Sequence, residues 1–316
     1  MFPETVESAS LASRYGYDKW LVSRFLQYVP DIVEFLEKMD RPPTQYIRVN
    51  TLKTSNTELE GRLRLKGFEL ENTVLPEVLS VKRSAIATGA TTEYLLGHYY
   101  LQDLGSCIAV AALDVHEDRA VLDAAAAPGG KTTFIAQKMK NTGLIVALEP
   151  SRKRARSLAF NLARCGVFNT CIIRADGEHA EEKLKMKFDY VLLDAPCSCE
   201  GTIAKDVTRK TSHVPQDIDY CASRQEKLIE AAINMVKPGG TMVYSTCSFA
   251  PEENEMVVDW LLDRYPNVAV EPIPYGSPGL TYFGNFKFPD QLANTRRLYP
   301  QIHDTTGFFI AKLRMK

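Results

Sequence analysis

The sequence predicts an α/β fold built on a doubly wound, mostly parallel sheet, with a smaller α+β unit ahead of it. Three observations carry this expectation. From about residue 117 onward, apolar strand-like runs and helical runs alternate. The run 188–193 is almost entirely apolar, as in a strand covered on both faces. Asp123, Glu149, Asp176 and Asp194 stand at the ends of four successive predicted strands, where such a sheet holds its ligand.

Taken in chain order, residues 11–38 carry apolar positions at helical spacing, with Leu21, Val22, Phe25 and Leu26 on one face. Pro30 opens a second helical run at 32–39, and Arg41-Pro42-Pro43 stops it. Residues 46–50 read as a strand, 58–66 as a short helix ended by Gly67, and 78–81 as another strand. In the main domain the expected strands are 120–123, 144–148, 170–174, 188–193, 241–245 and 308–313. Helices are expected at 131–139, 152–165, 224–236 and 252–265, with Pro238-Gly239-Gly240 as a break. The division expected is N-terminal helices at 1–44, a small α+β domain at 45–115 and the main domain at 116–316.

With 45% apolar and 24% charged residues in 316, the chain is ordinary for a globular protein and long enough to bury a full core. Collagen-like, disordered and small disulfide-rich classes are excluded. The formal net charge of −1 leaves room for a local basic patch but rules out a uniformly polycationic surface. No run of about 18 apolar residues predicts a membrane span, and Met1-Phe2-Pro3-Glu4 does not open a signal peptide. Seven scattered cysteines then imply reduced thiols and a cytoplasmic setting.

The most informative turn is Asp123-Ala-Ala125-Ala126-Ala127-Pro128-Gly129-Gly130-Lys131-Thr132, between a strand and a helix. Glycine there admits a ligand close to the backbone, and the helix start offers unpaired N–H groups. Gly130-Lys131-Thr132 fits the end of a phosphate-binding P-loop, but Ala125 stands where that motif needs glycine. Glu149, about 20 residues on, suits a ribose-gripping carboxylate, and Asp176 could accept from an adenine amino group. A dinucleotide or S-adenosylmethionine is the expected ligand, and the missing Gly-x-Gly-x-x-Gly pattern argues against NAD.

Two further turns carry thiols: Asp194-Ala-Pro-Cys197-Ser-Cys199 and Ser245-Thr-Cys247-Ser248. Both follow strands, at the mouth expected for the cofactor crevice. A thiolate there can attack an electron-poor ring and form a covalent intermediate. A zinc site from Cys197, Cys199, Cys221 and Cys247 is the competing reading; the Cys-x-Cys spacing and the lack of a nearby histidine in sequence argue against it, and no metal is expected.

Asp194-Ala-Pro-Cys197-Ser, Tyr244-Ser-Thr-Cys247-Ser with Pro251-Glu-Glu-Asn254-Glu, and Ala-Ala-Pro128-Gly-Gly-Lys131-Thr resemble the RNA cytosine-5 methyltransferases of the Sun/Fmu family. Tyr46-Ile-Arg-Val-Asn50-Thr-Leu-Lys53, Tyr100-Leu-Gln102-Asp, Arg296-Arg-Leu-Tyr-Pro300 and Gly307-Phe-Phe-Ile-Ala-Lys312 look like further blocks of it, from about residue 45 to the end. The compact N-terminal part is most similar to archaeal members acting on transfer RNA. The resemblance implies a Rossmann-like class I methyltransferase fold and S-adenosyl-L-methionine, held by Ala125, Ala126, Ala127, Pro128, Gly129, Gly130, Lys131, Glu149, Arg154, Asp176 and Asp194. It implies that Cys247 adds to carbon 6 of cytosine, that Cys197 assists loss of the carbon-5 proton and release, and that Asp194 assists at the ring nitrogen. The expected partner is RNA, transfer RNA first, with no membrane and no obligate protein partner. Ribosomal RNA with the same chemistry, or a non-catalytic RNA-binding assembly protein, are the alternatives.

The sequence departs from the family pattern twice. Ala125 replaces a frequent cysteine, and Ser198-Cys199-Glu200-Gly201 replaces Ser/Thr-Gly-x-Gly, which raises the prospect that Cys199 shares the role of Cys197. The segment 202–214 is basic, and Lys205, Arg209 and Lys210 are its expected phosphate contacts. The unit at 45–83 resembles a small RNA-binding fold without the aromatic stacking signature of an RNA recognition motif.

Overall fold

The computed structural model describes residues 2–316. The chain falls into two compact units. Thr44–Ala195, Lys227–Tyr244 and Lys312–Lys316 form one, here the sheet unit; residues up to Pro43, with Pro196–Glu226 and Ser245–Ala311, form the other, here the cysteine unit.

The sheet unit opens with four antiparallel strands, β1 (Gln45–Val49), β2 (Glu69–Asn72), β3 (Val78–Arg83) and β4 (Tyr99–Leu101), in the order β2-β3-β1-β4. Ile47 of β1 lies opposite Leu79 on one side and Leu101 on the other. Helix Asn56–Leu65 starts at a capping box, Ser55 with Glu58, and buries Leu59 and Leu63 against Ile47, Val49, Phe68 and Leu79. The outer strands β2 and β4 were not anticipated. β2 buries only Leu70 and β4 has three residues, so neither carries enough apolar alternation to stand out.

The same unit contains β5 (Ala120–Asp123), β6 (Leu144–Leu148), β7 (Thr170–Ile173), β8 (Phe188–Asp194) and most of β9 (Val236–Thr246). Their order is β9-β8-β5-β6-β7, and β8-β5, β5-β6 and β6-β7 are parallel. Chain order reverses direction beside β5, the switch point at which ligands bind such sheets. Val121, Leu122, Ile145, Val191, Leu192 and Leu193 are almost wholly inaccessible, as strands covered on both faces require. Two boundaries differ from expectation. Helix Pro215–Asn234 begins well before Arg224, and Pro238-Gly239-Gly240 lies inside β9 rather than ending a helix. Gly240 is needed there because a Cβ would sit 2.9 Å from the Asp189 carbonyl.

In the cysteine unit the helical stretch near the N-terminus is three helices, Val6–Tyr15, Lys19–Tyr28 and Ile32–Met39. Gly16, with φ of 71°, caps the first and breaks the run that the apolar spacing suggested was continuous. Phe25, Phe35, Phe249 and Tyr299 pack together in the core, with Phe25 and Phe35 edge-on to Phe249 at 6.1 and 5.1 Å. Beyond helix Glu255–Arg264 come β10 (Val268–Glu271), β11 (Ser277–Pro278), the hairpin β12 (Tyr282–Phe283) and β13 (Phe286–Lys287), β14 (Arg296–Leu298) and β15 (Phe308–Met315). β14 pairs antiparallel with β11 and with the start of β15. Among the described residues no helix is long and apolar enough to cross a membrane.

Candidate active site

In the sheet unit, the expected cofactor residues gather at the C-terminal ends of β5 to β8. Asp123 closes β5 and its carboxylate accepts from Thr132 Oγ1 at 2.7 Å; burial pushes its pKa up to about 6. The loop then turns through Ala124 to Pro128, with a cis Ala127–Pro128 bond. Gly129 has φ of 104°, and a Cβ there would lie 2.9 Å from Leu158 Cδ1, so glycine alone fits the turn. Helix Gly130–Lys138 follows, and its first N–H groups face outward from the loop as at any helix start.

Glu149 ends β6 with its side chain 1% exposed. Its Oε1 accepts the Ser151 N–H at 2.8 Å, and its Oε2 lies 3.5 Å from the exposed Arg154. Arg154 also donates to the Ala127 carbonyl at 2.8 Å, tying the glycine loop to the Glu149 turn. Asp176 accepts the Glu178 N–H at 3.3 Å, and Asp194 is paired with Lys131 at 2.6 Å. A buried carboxylate beside a glycine cradle and a helix start suits a nucleoside carrying a positive centre and ribose hydroxyls.

In the cysteine unit, the two thiol loops meet. Cys197 Sγ lies 3.2 Å from Cys247 Sγ and 3.9 Å from Cys199 Sγ. Glu253 fixes this meeting. Its buried carboxylate accepts from the Ser198 N–H (2.9 Å), Ser248 Oγ (2.6 Å), Gln225 Nε2 (2.9 Å) and Ser198 Oγ. Gln225 Nε2 also reaches the Pro196 carbonyl at 2.9 Å. Asn254 accepts from Thr246 Oγ1 at 2.6 Å and donates to the Ser248 carbonyl at 2.9 Å, holding the turn on either side of Cys247. Gly201 donates its N–H to the Cys247 carbonyl at 2.8 Å; a Cβ there would lie 2.7 Å from that oxygen and 2.4 Å from the Gly307 carbonyl.

Cys199 takes the left-handed conformation, φ 63° and ψ 29°, at the position where the family pattern has glycine. The altered sequence therefore keeps the glycine-type turn and places a third thiol in it. The sulfur contacts pull the thiols apart in acidity. Hydrogen bonding with Cys199 and Cys247 raises the pKa of Cys197, while hydrogen bonding with Cys197 and Cys247, with Arg209 nearby, lowers that of Cys199. Next to it, burial pushes Glu200 up to about 8.

Of the three expected RNA contacts, the structure leaves one outward. Lys205 is exposed. Arg209 donates to the Ser198 carbonyl at 2.8 Å and pairs with Asp206 at 3.4 Å. Lys210 is bonded to the Tyr15 carbonyl at 2.9 Å and to Asp40, with its ammonium 4.8 Å from the Tyr17 ring. Partners 170 and 195 residues away in the chain enclose Lys210, which a local charge pattern cannot reveal. Arg209 is thereby tied to the thiol loop and Lys210 to the N-terminal helices, so two of the three expected phosphate contacts already have protein partners.

The residues that sequence reasoning missed are the braces. Glu253 and Asn254 lay within the quoted Pro251-Glu-Glu-Asn254-Glu block, yet nothing local distinguished Glu253 from the half-exposed Glu252. Arg297, in the Arg296-Arg-Leu block, is buried; it donates to Glu255 at 2.7 Å and to the Phe249 carbonyl at 2.8 Å. In the sheet unit the Arg48 and Asn50 of another block are likewise internal. Arg48 donates to Thr133 Oγ1 at 2.8 Å, and Asn50 to the Gly97 and Cys165 carbonyls.

One unit thus carries a parallel sheet with a nucleoside-type cradle, and the other a close pair of thiols. The chain belongs to the family described as "16S rRNA methyltransferase RsmB/F", whose pattern matches residues 110–314; a ferredoxin-like domain pattern of the same proteins matches residues 17–86. It is 43% identical over 314 residues to a mouse protein named 28S rRNA (cytosine-C(5))-methyltransferase, covering 96% of this chain and 39% of that one. It is 40% identical over 289 residues to the Klebsiella pneumoniae ribosomal RNA small subunit methyltransferase F, covering 89% of this chain and 59% of that one. The chain thus spans about two fifths to three fifths of the length of these relatives. Its fold superimposes on a solved methyltransferase homologue from Pyrococcus horikoshii with a TM-score of 0.91, at 38% identity, covering 99% of this chain and all of that one. The Rossmann-like class I methyltransferase fold and the Sun/Fmu resemblance are both sustained.

Proposed function

We propose that this protein transfers a methyl group from S-adenosylmethionine to carbon 5 of cytosine in RNA. The observation that carries the reading is the 3.2 Å approach of Cys197 and Cys247, framed by the buried Glu253. S-adenosylmethionine, when bound, supplies the electrophilic methyl. Glu149 accepts the ribose hydroxyls, Asp176 the adenine amino group, and the Gly129–Lys131 helix start presents N–H groups to the ligand's polar end. Arg154 holds the loop by its bond to Ala127.

On the cytosine side, Cys247 as a thiolate gives its electron pair to carbon 6. The ring double bond's electrons move toward carbon 5, and a proton or hydrogen bond from Asp194 at the ring nitrogen eases the addition. Asp194, ion-paired with Lys131 at 2.6 Å, serves as donor once its carboxylate has taken up a proton. Cys197 Sγ, 3.2 Å from the Cys247 sulfur, stands within hydrogen-bond reach of the attacking atom. After methylation a base takes the carbon-5 proton, the C–H electrons re-form the carbon 5–carbon 6 double bond, and the carbon 6–sulfur bond breaks with its pair returning to Cys247; Cys197 assists that step. A duplex cytosine must leave its stack to reach a thiol in a protein.

The substrate class we put first is ribosomal RNA, because the relatives' names specify it; transfer RNA, which the compact N-terminal part suggested, is the second reading and rests on sequence resemblance alone. Bisulfite mapping of both RNA classes after incubation separates them. The chemistry itself is tested on a denaturing gel of Cys197→Ala with total cellular RNA and S-adenosylmethionine. An RNA-linked protein band that vanishes in Cys197→Ala/Cys247→Ala supports both assignments. Methylation by the wild type without any trapped band in Cys197→Ala removes Cys197 from the release step.

A further inference from the structure

Three clustered thiols of the cysteine unit, Cys197, Cys199 and Cys247, have a use that methyl transfer does not require. The Sγ atoms of Cys197, Cys199 and Cys247 all lie within 4.8 Å of one another, with two of the separations 3.2 and 3.9 Å. Sulfurs bound to one tetrahedral zinc at about 2.3 Å stand roughly 3.8 Å apart, so small side-chain rotations bring this triad onto a single ion. Cytosine addition and release need two thiols. The third, Cys199, sits at a left-handed backbone position that glycine would occupy without strain.

A second observation points the same way. The cavity beside the triad is lined by Cys197, Arg209, His213, Asp217 and Cys221. His213 is 6% exposed, and its Nε2 is buried without a hydrogen-bond partner among the described residues. A histidine does accompany the cysteines in space, although none lies beside them in sequence.

We infer that Cys197, Cys199 and Cys247 form a binding site for a thiophilic divalent cation of the zinc and cadmium class, with His213, which lines the same cavity as Cys197, as the side chain it would recruit for a fourth position. Any thiol still protonated gives its proton to solvent as its sulfur binds the cation, so no oxidant or reductant is involved. Three thiolates and a dication leave one negative charge, which Arg209 offsets through its proximity to Cys199. In this state the Cys247 electron pair is committed to the metal. The consequence for catalysis rests on the nucleophile assigned above: metal loading stops methyl transfer, and chelation restores it.

The test is titration of the metal-free protein with cadmium alone, following the ultraviolet thiolate-to-cadmium charge-transfer band. The wild type should bind one cadmium per chain, in competition with zinc, with the band intensity of three thiolates. Cys199→Gly relieves the left-handed strain, so it should fold at least as well as the wild type, yet lose cadmium affinity about a hundredfold and about a third of the band. His213→Ala should weaken affinity while keeping the full band, and Cys171→Ser, removing an exposed thiol in the other unit, should change nothing. Equal affinity in wild type and Cys199→Gly, or loss of binding in Cys171→Ser, overturns the site. Binding as described without reversible inhibition of methyl transfer leaves the site standing and overturns the assignment of Cys247 as nucleophile.

Discussion

The two units reach their functional groups by opposite routes. In the sheet unit, each group sits on a short turn that follows its own strand and is held mostly by neighbours in sequence: Glu149 by Ser151, Asp176 by Glu178, Asp123 by Thr132. In the cysteine unit, the thiol loops are 50 residues apart in the chain and are joined by one buried carboxylate with four donor groups around it. The first arrangement is a row of separately replaceable contacts. The second is a single network, in which one deletion leaves several buried partners unpaired. The lesson is that a cofactor cradle can be assembled from local turns, whereas two thiols can be kept in contact only by long-range bracing.

The largest expected effect sharpens this comparison by separating the two chemistries. Cys247→Ala should lower methyl transfer by about a thousandfold or more while S-adenosylmethionine affinity, measured by calorimetry, stays within about twofold. Glu149→Ala should do the reverse: cofactor affinity falls by about tenfold to a hundredfold, and most of the rate returns at saturating cofactor. If Cys247→Ala lost cofactor binding to the same extent as Glu149→Ala, the functional independence of the two sets of residues would fail.

Next in size is the bracing itself. Glu253→Ala leaves the Ser198 N–H, two hydroxyls and the Gln225 amide without their common acceptor, and should cost about 3 kcal/mol in urea unfolding. Thr132→Val in the sheet unit removes one hydrogen bond to Asp123 and should cost about 1 kcal/mol. Equal losses would mean that Glu253 is one contact among many and not the centre of a network.

How much could be read in advance follows the same division. The strands that lead to Asp123, Glu149, Asp176 and Asp194 were legible, because each is a short run rich in apolar or β-branched residues with an acid at its end or within three residues beyond it. The glycine loop was legible for the same reason: Gly129 and Gly130 act within one turn. The thiols at 197 and 247 could be named from their motifs, but their contact could not, since Glu253 and Gly201 act across about 50 residues of chain. Lys210 looked free because its partners, Asp40 and Tyr15, belong to the N-terminal helical region. β2 and β4 were missed because short, half-exposed strands carry almost no periodic signal.

A further expected effect is a difference in pH response between the two units. Glu200 keeps its proton in the folded state up to about 8, whereas in the unfolded chain it loses it near the ordinary glutamate value of about 4.3. Between those limits the folded state holds the extra proton. Its stabilising contribution is therefore complete below about pH 4.3, falls as pH rises, and is gone above about 8, with a slope of at most about 1.4 kcal/mol per pH unit. Asp123, raised to about 6, behaves in the same sense over a window closing near pH 6. Glu200→Gln should flatten the fall in stability between pH 6 and 8, and Asp123→Asn only the part below about 6. Urea denaturation of the wild type and both variants across this range measures it. A Glu200→Gln profile that still fell above pH 6 would place the titrating group elsewhere, and the buried Glu253, raised by the same desolvation, would be the next carboxyl to replace.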